Sequence, residues 1–392
     1  MLRRLFIVSN ALDDATRSRR GITTDSPAAS LKVLSMCRAV RRAGVRPLVL
    51  SLGRGRADGT GRWFGATVKR VNGVPVLYAA FSHRPVASQL VSLMSPAMLL
   101  WRARKLAGEK TVVFYNRLPA YVPALLLASA LRLRTVLDLE DGELPPGTLA
   151  PRQRLGAAMR RLFDRRCSGG ALLACRALEG GTALRPVACY YGTVDCRPAD
   201  GRWPDGTVSV LLGGTVSRDT GAHLVAAAIE RLRRERPEWA RGLRLDVTGQ
   251  GDGLLDLQRL AGDNAPALVV HGRTSAAAYR AIVEKAQVGL ALKPRSGPLS
   301  RTTFPSKVIE LAGAGLLVLT TDISDVREVL GEGALYLDDE TPEGLIDRLR
   351  WIVQHPAQAQ AIADAGRRRT LERCEPAKAG RALANFLFPR AA

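Results

Sequence analysis

Short apolar runs alternate with amphipathic stretches along the chain. Arg4–Ser9, Val45–Leu52, Thr111–Tyr115, Arg134–Leu139, Gly170–Ala174 and Pro186–Tyr190 read as strands of the first half. Val208–Leu212, Leu243–Gly249, Ala267–His271, Val288–Leu292 and Leu316–Thr320 read as strands of the second. Apolar runs without alternation are the pattern of strands covered on both faces. Helical spacing fills the intervals. Ala28–Ala43 carries apolar Ala29, Leu31, Val33, Leu34, Met36, Cys37 and Val40, behind Ser26 as cap and Pro27 in the first turn. Further helices read over Ser88–Ala107, Leu155–Arg166, His223–Arg234, Tyr279–Lys285, Pro342–Val353 and Glu375–Phe386. Thr67–Val71 and Val74–Ala79, joined by Asn72-Gly73, read as a hairpin. The pattern predicts an α/β protein of two Rossmann-like domains facing a cleft. A stretch rich in Pro, Gly and Asp at Arg197–Thr207 reads as the boundary. It gives a domain over 1–197, a second over 198–372 and a terminal segment over 373–392.

The stretch from Lys293 to Asp322 carries the chemistry. After the strand at Val288–Leu292 comes a loop broken by Pro294, Gly297 and Pro298. A helix then starts with Pro305 in its first turn and Thr303 or Ser306 as cap, and stops at Gly313 or Gly315 before the next strand. Ligands of open α/β sheets sit at such strand ends, where the free N–H groups of a helix suit an anion. Lys307 and Glu310 stand three residues apart, on adjoining turns. A lysine can meet a phosphate, and a carboxylate can accept from the two hydroxyls of a ribose.

The run PSKVIELAGAGLLVLTTD resembles the nucleotide-sugar signature of retaining GT-B glycosyltransferases of the family 4 type. That family carries a Glu, seven residues, then a second Glu. The second matches Glu310, and the first falls on Thr302. The resemblance implies transfer of a sugar from a nucleoside diphosphate to a hydroxyl, with retention, in cell-surface polysaccharide or glycolipid assembly. It implies no cofactor and no metal. The nucleoside-diphosphate sugar is a substrate, and the acceptor a polysaccharide or lipid-linked hydroxyl. It also implies a donor domain at 198–372, an acceptor domain at 1–197 and a last helix returning to the first domain.

By the same resemblance the turn after the strand at Val208–Leu212 should cradle the pyrophosphate. Gly213, Gly214 and Thr215 form it, with Arg218 as its cation. The family's Arg falls here on Gly214 or Thr215 and its Lys on Thr220, so Arg218, Lys293, Arg295 or Lys307 must neutralise the charge. Gly249 opens a second Gly-x-Gly turn. Gly272 and Arg273 border the base through backbone. Thr302, Thr303 and Phe304 border the donor sugar. On the acceptor side, Glu140, Asp141 and Glu143 crowd the end of the strand at Arg134–Leu139. They read either as a solvated acidic loop or as acceptor-side groups, with Asp141 and Glu143 the best candidates. Glu310, Lys307 and Asp141 are the catalytic candidates. His271, at a strand end, reads as structural. Thr302 also keeps open a catalytically degenerate GT-B chain that binds or scaffolds.

No GxGxxG follows the first strand, which argues against nicotinamide or flavin. The six cysteines show no metal spacing and read as reduced core residues. No apolar run approaches the ~20 residues that cross a bilayer. The N-terminal apolar run is too short for a signal peptide, and the expected location is the cytoplasm or the inner membrane face. The formal charge is +22, with clusters at 17–21, 41–46 and 160–167. This excess reads either as composition spread over solvated faces or as attraction to an anionic membrane surface. Sparse aromatics argue against nucleic acid as the partner.

Overall fold

The computed structural model describes residues 2–57, 61–142, 150–194, 203, 206–297 and 299–389. Glu143, Asp195, Cys196 and Pro298 lie outside the described residues. The chain divides into two compact units, Met1–Thr193 with Pro376–Ala392, and Val194–Glu375.

The first unit is built on an eight-stranded sheet. Its strands are β1 (Arg3–Ser9), β2 (Val45–Ser51), β3 (Thr67–Val71), β4 (Val74–Tyr78), β5 (Glu109–Tyr115), β6 (Arg134–Leu139), β7 (Ala171–Leu173) and β8 (Val187–Cys189). Their order is β8-β7-β6-β5-β1-β2-β4-β3. Among the described residues of this sheet only the β3–β4 hairpin is antiparallel; Asn72 and Gly73 turn it with positive φ, as the sequence pair demands. In β1, Leu5, Phe6, Ile7 and Val8 are all buried, because helices cover both faces. The helices are α1 (Pro27–Arg42), α2 (Pro85–Ala103), α3 (Val122–Ala130), α4 (Ala150–Arg166) and, from the chain end, α10 (Pro376–Leu387). Gly380 is where α10 meets α1. A Cβ there would fall 2.1 Å from the Ala39 carbonyl oxygen.

The second unit has strands β9 (Val208–Thr215), β10 (Leu243–Gln250), β11 (Ala267–Gly272), β12 (Val288–Ala291), β13 (Leu317–Thr320) and β14 (Leu335–Tyr336). All pairings are parallel, in the order β11-β10-β9-β12-β13-β14. This is the doubly wound order, and it reverses between β9 and β12. Helices α5 (Ala222–Glu235), α6 (Ala276–Lys285), α7 (Lys307–Gly313), α8 (Pro342–Gln354) and α9 (Pro356–Cys374) flank the sheet. The sequence pattern hides α9, because its buried face is made of Ala359, Ala363, Gly366, Thr370 and Cys374. Small residues give little hydrophobic contrast, so the helical period is weak there.

Two sequence readings change. Arg20, from the basic cluster at 17–21, is fully buried and donates to the Gly53 carbonyl at 2.6 Å and the Ala79 carbonyl at 2.8 Å. Burial pulls its pKa down to about 10, helped by the charge of Arg19. This charge ties loops to the core and is not available to an anionic partner. Of the cysteines, Cys37, Cys167, Cys175 and Cys374 are buried, but Cys189 is exposed at the end of the edge strand β8.

Candidate active site

β9 ends in Gly213-Gly214-Thr215 at the point where the strand order reverses. A side chain on either glycine would crowd Tyr279 or Lys307. A Cβ on Gly213 would lie 3.3 Å from the ring and hydroxyl of Tyr279, and one on Gly214 would lie 3.1 Å from Lys307 Cε. Gly214 also has φ +104°, a conformation that glycine alone adopts freely. Gly249, at the end of the neighbouring strand, carries φ +128°. A Cβ there would sit 1.7 Å from the Gly214 carbonyl oxygen. The two glycine turns are thus pressed together, backbone on backbone.

Lys307 rises from the first turn of α7, on the other side of the reversal. Its Nζ donates to Glu310 Oε2 at 2.9 Å and to Tyr279 Oη at 2.9 Å. The Glu310 carboxylate also acts on the Tyr279 hydroxyl, disfavouring its ionisation. An ammonium has three protons, so a third donor remains for a ligand once Tyr279 and Glu310 are served. Burial alone would lower the Lys307 pKa. The Glu310 carboxylate and Tyr279 outweigh it and push the pKa up, so the lysine stays charged. Burial, reinforced by Glu310, raises Tyr279 to about 12, so the tyrosine stays neutral. About 29% of the Lys307 side chain and 30% of the Glu310 side chain remain accessible. The result is a fixed cation and a carboxylate open to solvent beside a turn without side chains. Such a set can take a phosphate and the hydroxyls of a sugar.

The structure brings Lys307, Glu310, Gly213 and Gly214 together, and Gly249 behind them. Thr215 is exposed, and Arg218 lies exposed in the turn Arg218–Thr220. Ser217 and Thr220 close a capping box there, which explains why a threonine stands at Thr220. Arg273 leaves β11 and reaches Gln250 Oε1 at 3.4 Å; Gly272, at φ +63°, has open space where a Cβ would be. Thr302 is half-buried, and Thr303 and Phe304 are buried in the turn that leads into α7. Arg295 is paired with Glu340 through its backbone N–H at 3.1 Å and its side-chain Nε at 2.8 Å.

Ser306, one of the two caps expected for α7, does not cap it. Ser306 has φ −52° and ψ −20°, already helical, and makes no side-chain cap hydrogen bond. The Pro305 and Ser306 carbonyls accept from Val308 and Glu310 instead, so Lys307 opens the helix. His271 is structural: its Nε2 lies 2.7 Å from Asp246 Oδ1. Burial presses the Asp246 pKa up, but hydrogen bonds from Arg244 and His271 bring it below the usual value.

Sequence reasoning missed Tyr279, which lies 28 residues before Lys307 on α6. It also missed a cluster in the first unit. Asp138 and Glu140, at the end of β6, both pair with Lys32 of α1, Asp138 at 3.7 Å. Asp141, a catalytic and acceptor-side candidate, is exposed at the same strand end. The groups drawn inward are therefore its neighbours on the opposite strand face, as the period of two requires.

A glycosyl transferase-like family model matches residues 220–384. Comparison with curated proteins finds no match. Among solved structures, Anabaena Alr3699/HepE in complex with UDP and glucose has a TM-score of 0.68 at 13% identity, over 100% of each chain. TarM has a TM-score of 0.67 at 8% identity, over 99% of each chain. The α,α-trehalose 6-phosphate synthase of Burkholderia multivorans has a TM-score of 0.66 at 13% identity, over 99% of this chain and 96% of that one. By these likenesses the chain has the GT-B fold of two Rossmann-like domains, with a glycosyl transferase-like domain over residues 220–384.

Proposed function

We propose that this chain is a glycosyltransferase that moves a sugar from a nucleoside diphosphate to a hydroxyl. The observation that carries the reading is the Lys307 ammonium, held by Glu310 and Tyr279 against the Gly213-Gly214 turn. Lys307 meets the pyrophosphate, whose charge grows as the sugar–oxygen bond breaks, so a cation fixed there favours the transition state. The glycine turn lets backbone approach the phosphate. Glu310 accepts from the ribose hydroxyls. Arg218 adds a second charge near the turn, and the backbone over Ser300–Phe304 borders the sugar. Uridine is the first base to try, since HepE was solved with UDP and glucose.

The finer parts rest on the resemblance of Pro305–Asp322 to retaining enzymes. They are retention, a hexosyl donor, and a polysaccharide or lipid-linked acceptor at the inner membrane face. Asp141 and Glu143 are the acceptor-side candidates. Titration calorimetry with UDP and the other common nucleoside diphosphates is the first test; no binding to any of them refutes the reading. Given binding, Glu310→Ala should abolish release of nucleoside diphosphate from a donor panel supplied with lipid-linked acceptors. A chain that only scaffolds would show no such release in the wild type.

A further inference from the structure

Helix α2 carries its apolar residues on the wrong side for a water-facing helix. Its buried positions include Ser92, Ser95 and Pro96 alongside Leu99 and Leu100. Its exposed positions include Val86, Leu90, Met94, Met98 and Trp101, which are 48–72% accessible. These five recur at helical spacing, so they form one stripe along the outer face. No charged residue interrupts the helix from Pro85 to Trp101, and no acid occurs between Arg84 and Ala107. Cations bound the stripe instead: Arg84 before it, and Arg102, Arg104 and Lys105 after it. The Arg104 guanidinium lies 3.1 Å from the centre of the Trp101 ring, placing an aromatic and a cation together at that end. Three residues past the helix, Leu106 lines a groove of about 610 Å³ that also holds Arg4, Arg41, Arg46 and Arg70, with no carboxylate in its lining.

We infer that α2 is a membrane-docking element, whose stripe from Val86 to Trp101 enters the interface of an anionic bilayer while Arg102, Arg104, Lys105 and the adjoining arginine groove engage lipid phosphates. The helix cannot span a bilayer, since no described helix is long and apolar enough. An apolar face with basic residues at its edge and a tryptophan at its rim fits the plane of the interface. A second copy of the chain is disfavoured by charge. Packed antiparallel, two such helices set Arg84 against Arg102, and packed parallel they set like ends together. The inference deepens the lipid-linked acceptor of the proposed function, but its test needs no donor.

Flotation of the full chain with vesicles separates the two claims. The wild type should bind phosphatidylcholine vesicles containing phosphatidylglycerol and should leave vesicles of phosphatidylcholine alone. Binding should weaken with added salt. The double variant Leu90→Asp/Met94→Asp should lose association while keeping the wild-type unfolding transition and UDP titration. The triple variant Arg102→Gln/Arg104→Gln/Lys105→Gln should bind about a hundredfold more weakly, at the usual strength of each basic residue near an anionic surface. Trp101→Phe should remove the fluorescence blue shift seen on binding. Equal binding by the Asp variant, or equal binding of the wild type to both vesicles, overturns the inference. So does a wild-type dimer that the Asp variant abolishes. Vesicle binding with no nucleotide binding would leave the docking element standing and remove the enzymatic reading.

Discussion

The Lys307 ammonium lies 2.9 Å from the Tyr279 hydroxyl, although the two belong to helices on separate βα units. The Lys307 ammonium donates to both the tyrosine hydroxyl and the Glu310 carboxylate, so the tyrosine helps to hold the cation in place. Tyr279→Phe keeps the ring that packs on Gly213 and removes that hydrogen bond. Hydrogen bonds to charged groups contribute roughly 1.5–3 kcal/mol. The variant should bind UDP about tenfold to a hundredfold more weakly, with little change in unfolding midpoint. Calorimetry against the wild type reads this directly, and unchanged affinity would show that Lys307 needs no tyrosine.

Gly214 and Gly249 separate site geometry from fold geometry. Alanine at Gly214 meets Lys307 Cε at 3.1 Å, a contact that a flexible lysine can yield to, although φ +104° adds strain. Gly214→Ala should therefore fold, lose roughly 1–3 kcal/mol for the strained backbone, and lose nucleotide affinity as Lys307 is displaced. Alanine at Gly249 meets a carbonyl oxygen at 1.7 Å, which no side chain can relieve. Gly249→Ala should be recovered largely unfolded or aggregated. Soluble yield and thermal unfolding of the two variants give the comparison.

Much of the sheet was legible from sequence because central parallel strands are written as plain apolar runs. β1, β2, β6 and β12 match their sequence readings within a residue or two at each end, and β9 runs three residues further, through Gly213-Gly214-Thr215. The pair Lys307–Glu310 was legible because both residues sit on one helix, where spacing sets proximity. Tyr279 was not, because only the packing of α6 beside β9 brings it to Gly213. Ser306 was misread as a cap of α7, since its backbone is already helical. Arg20 was counted with its basic neighbours because a charge run carries no mark of which member turns inward. At β6 the acidic strand end was legible, but the pairing of Asp138 and Glu140 with Lys32 was not, because Lys32 lies on α1, about a hundred residues earlier.

Arg20 offers a stability test far from the candidate site. Its two carbonyl bonds join the loop after β2 to the end of β4, and its guanidinium carbon lies 5.7 Å from the centres of both the Tyr78 and Phe81 rings. Arg20→Ala leaves two buried carbonyls without donors and opens a cavity. Each unpaired buried acceptor costs about 1–3 kcal/mol, so a loss of roughly 3–5 kcal/mol is expected. Urea unfolding should show the drop, whereas Arg19→Ala, one residue earlier and exposed, should fall within about 0.5 kcal/mol of wild type.

The Asp138 cluster predicts a pH dependence with a definite sign. Burial drives the Asp138 pKa well above its ordinary 3.8, and the neighbouring Glu140 carboxyl adds to this, while Lys32 pulls against both. A raised carboxyl pKa means that the folded chain binds more protons than the unfolded chain between 3.8 and the raised value. Stability therefore falls as pH rises through that window. Asp138→Asn cannot ionise, and its amide can donate to Glu140. The remaining Lys32–Glu140 pair is neutral overall. The variant should lose the downward slope and should exceed the wild type in stability near neutral pH. Unfolding midpoints taken from about pH 4.5 to 7.5 decide it. A variant that keeps the wild-type slope would show that Asp138 is ionised in the folded chain throughout, balanced by Lys32.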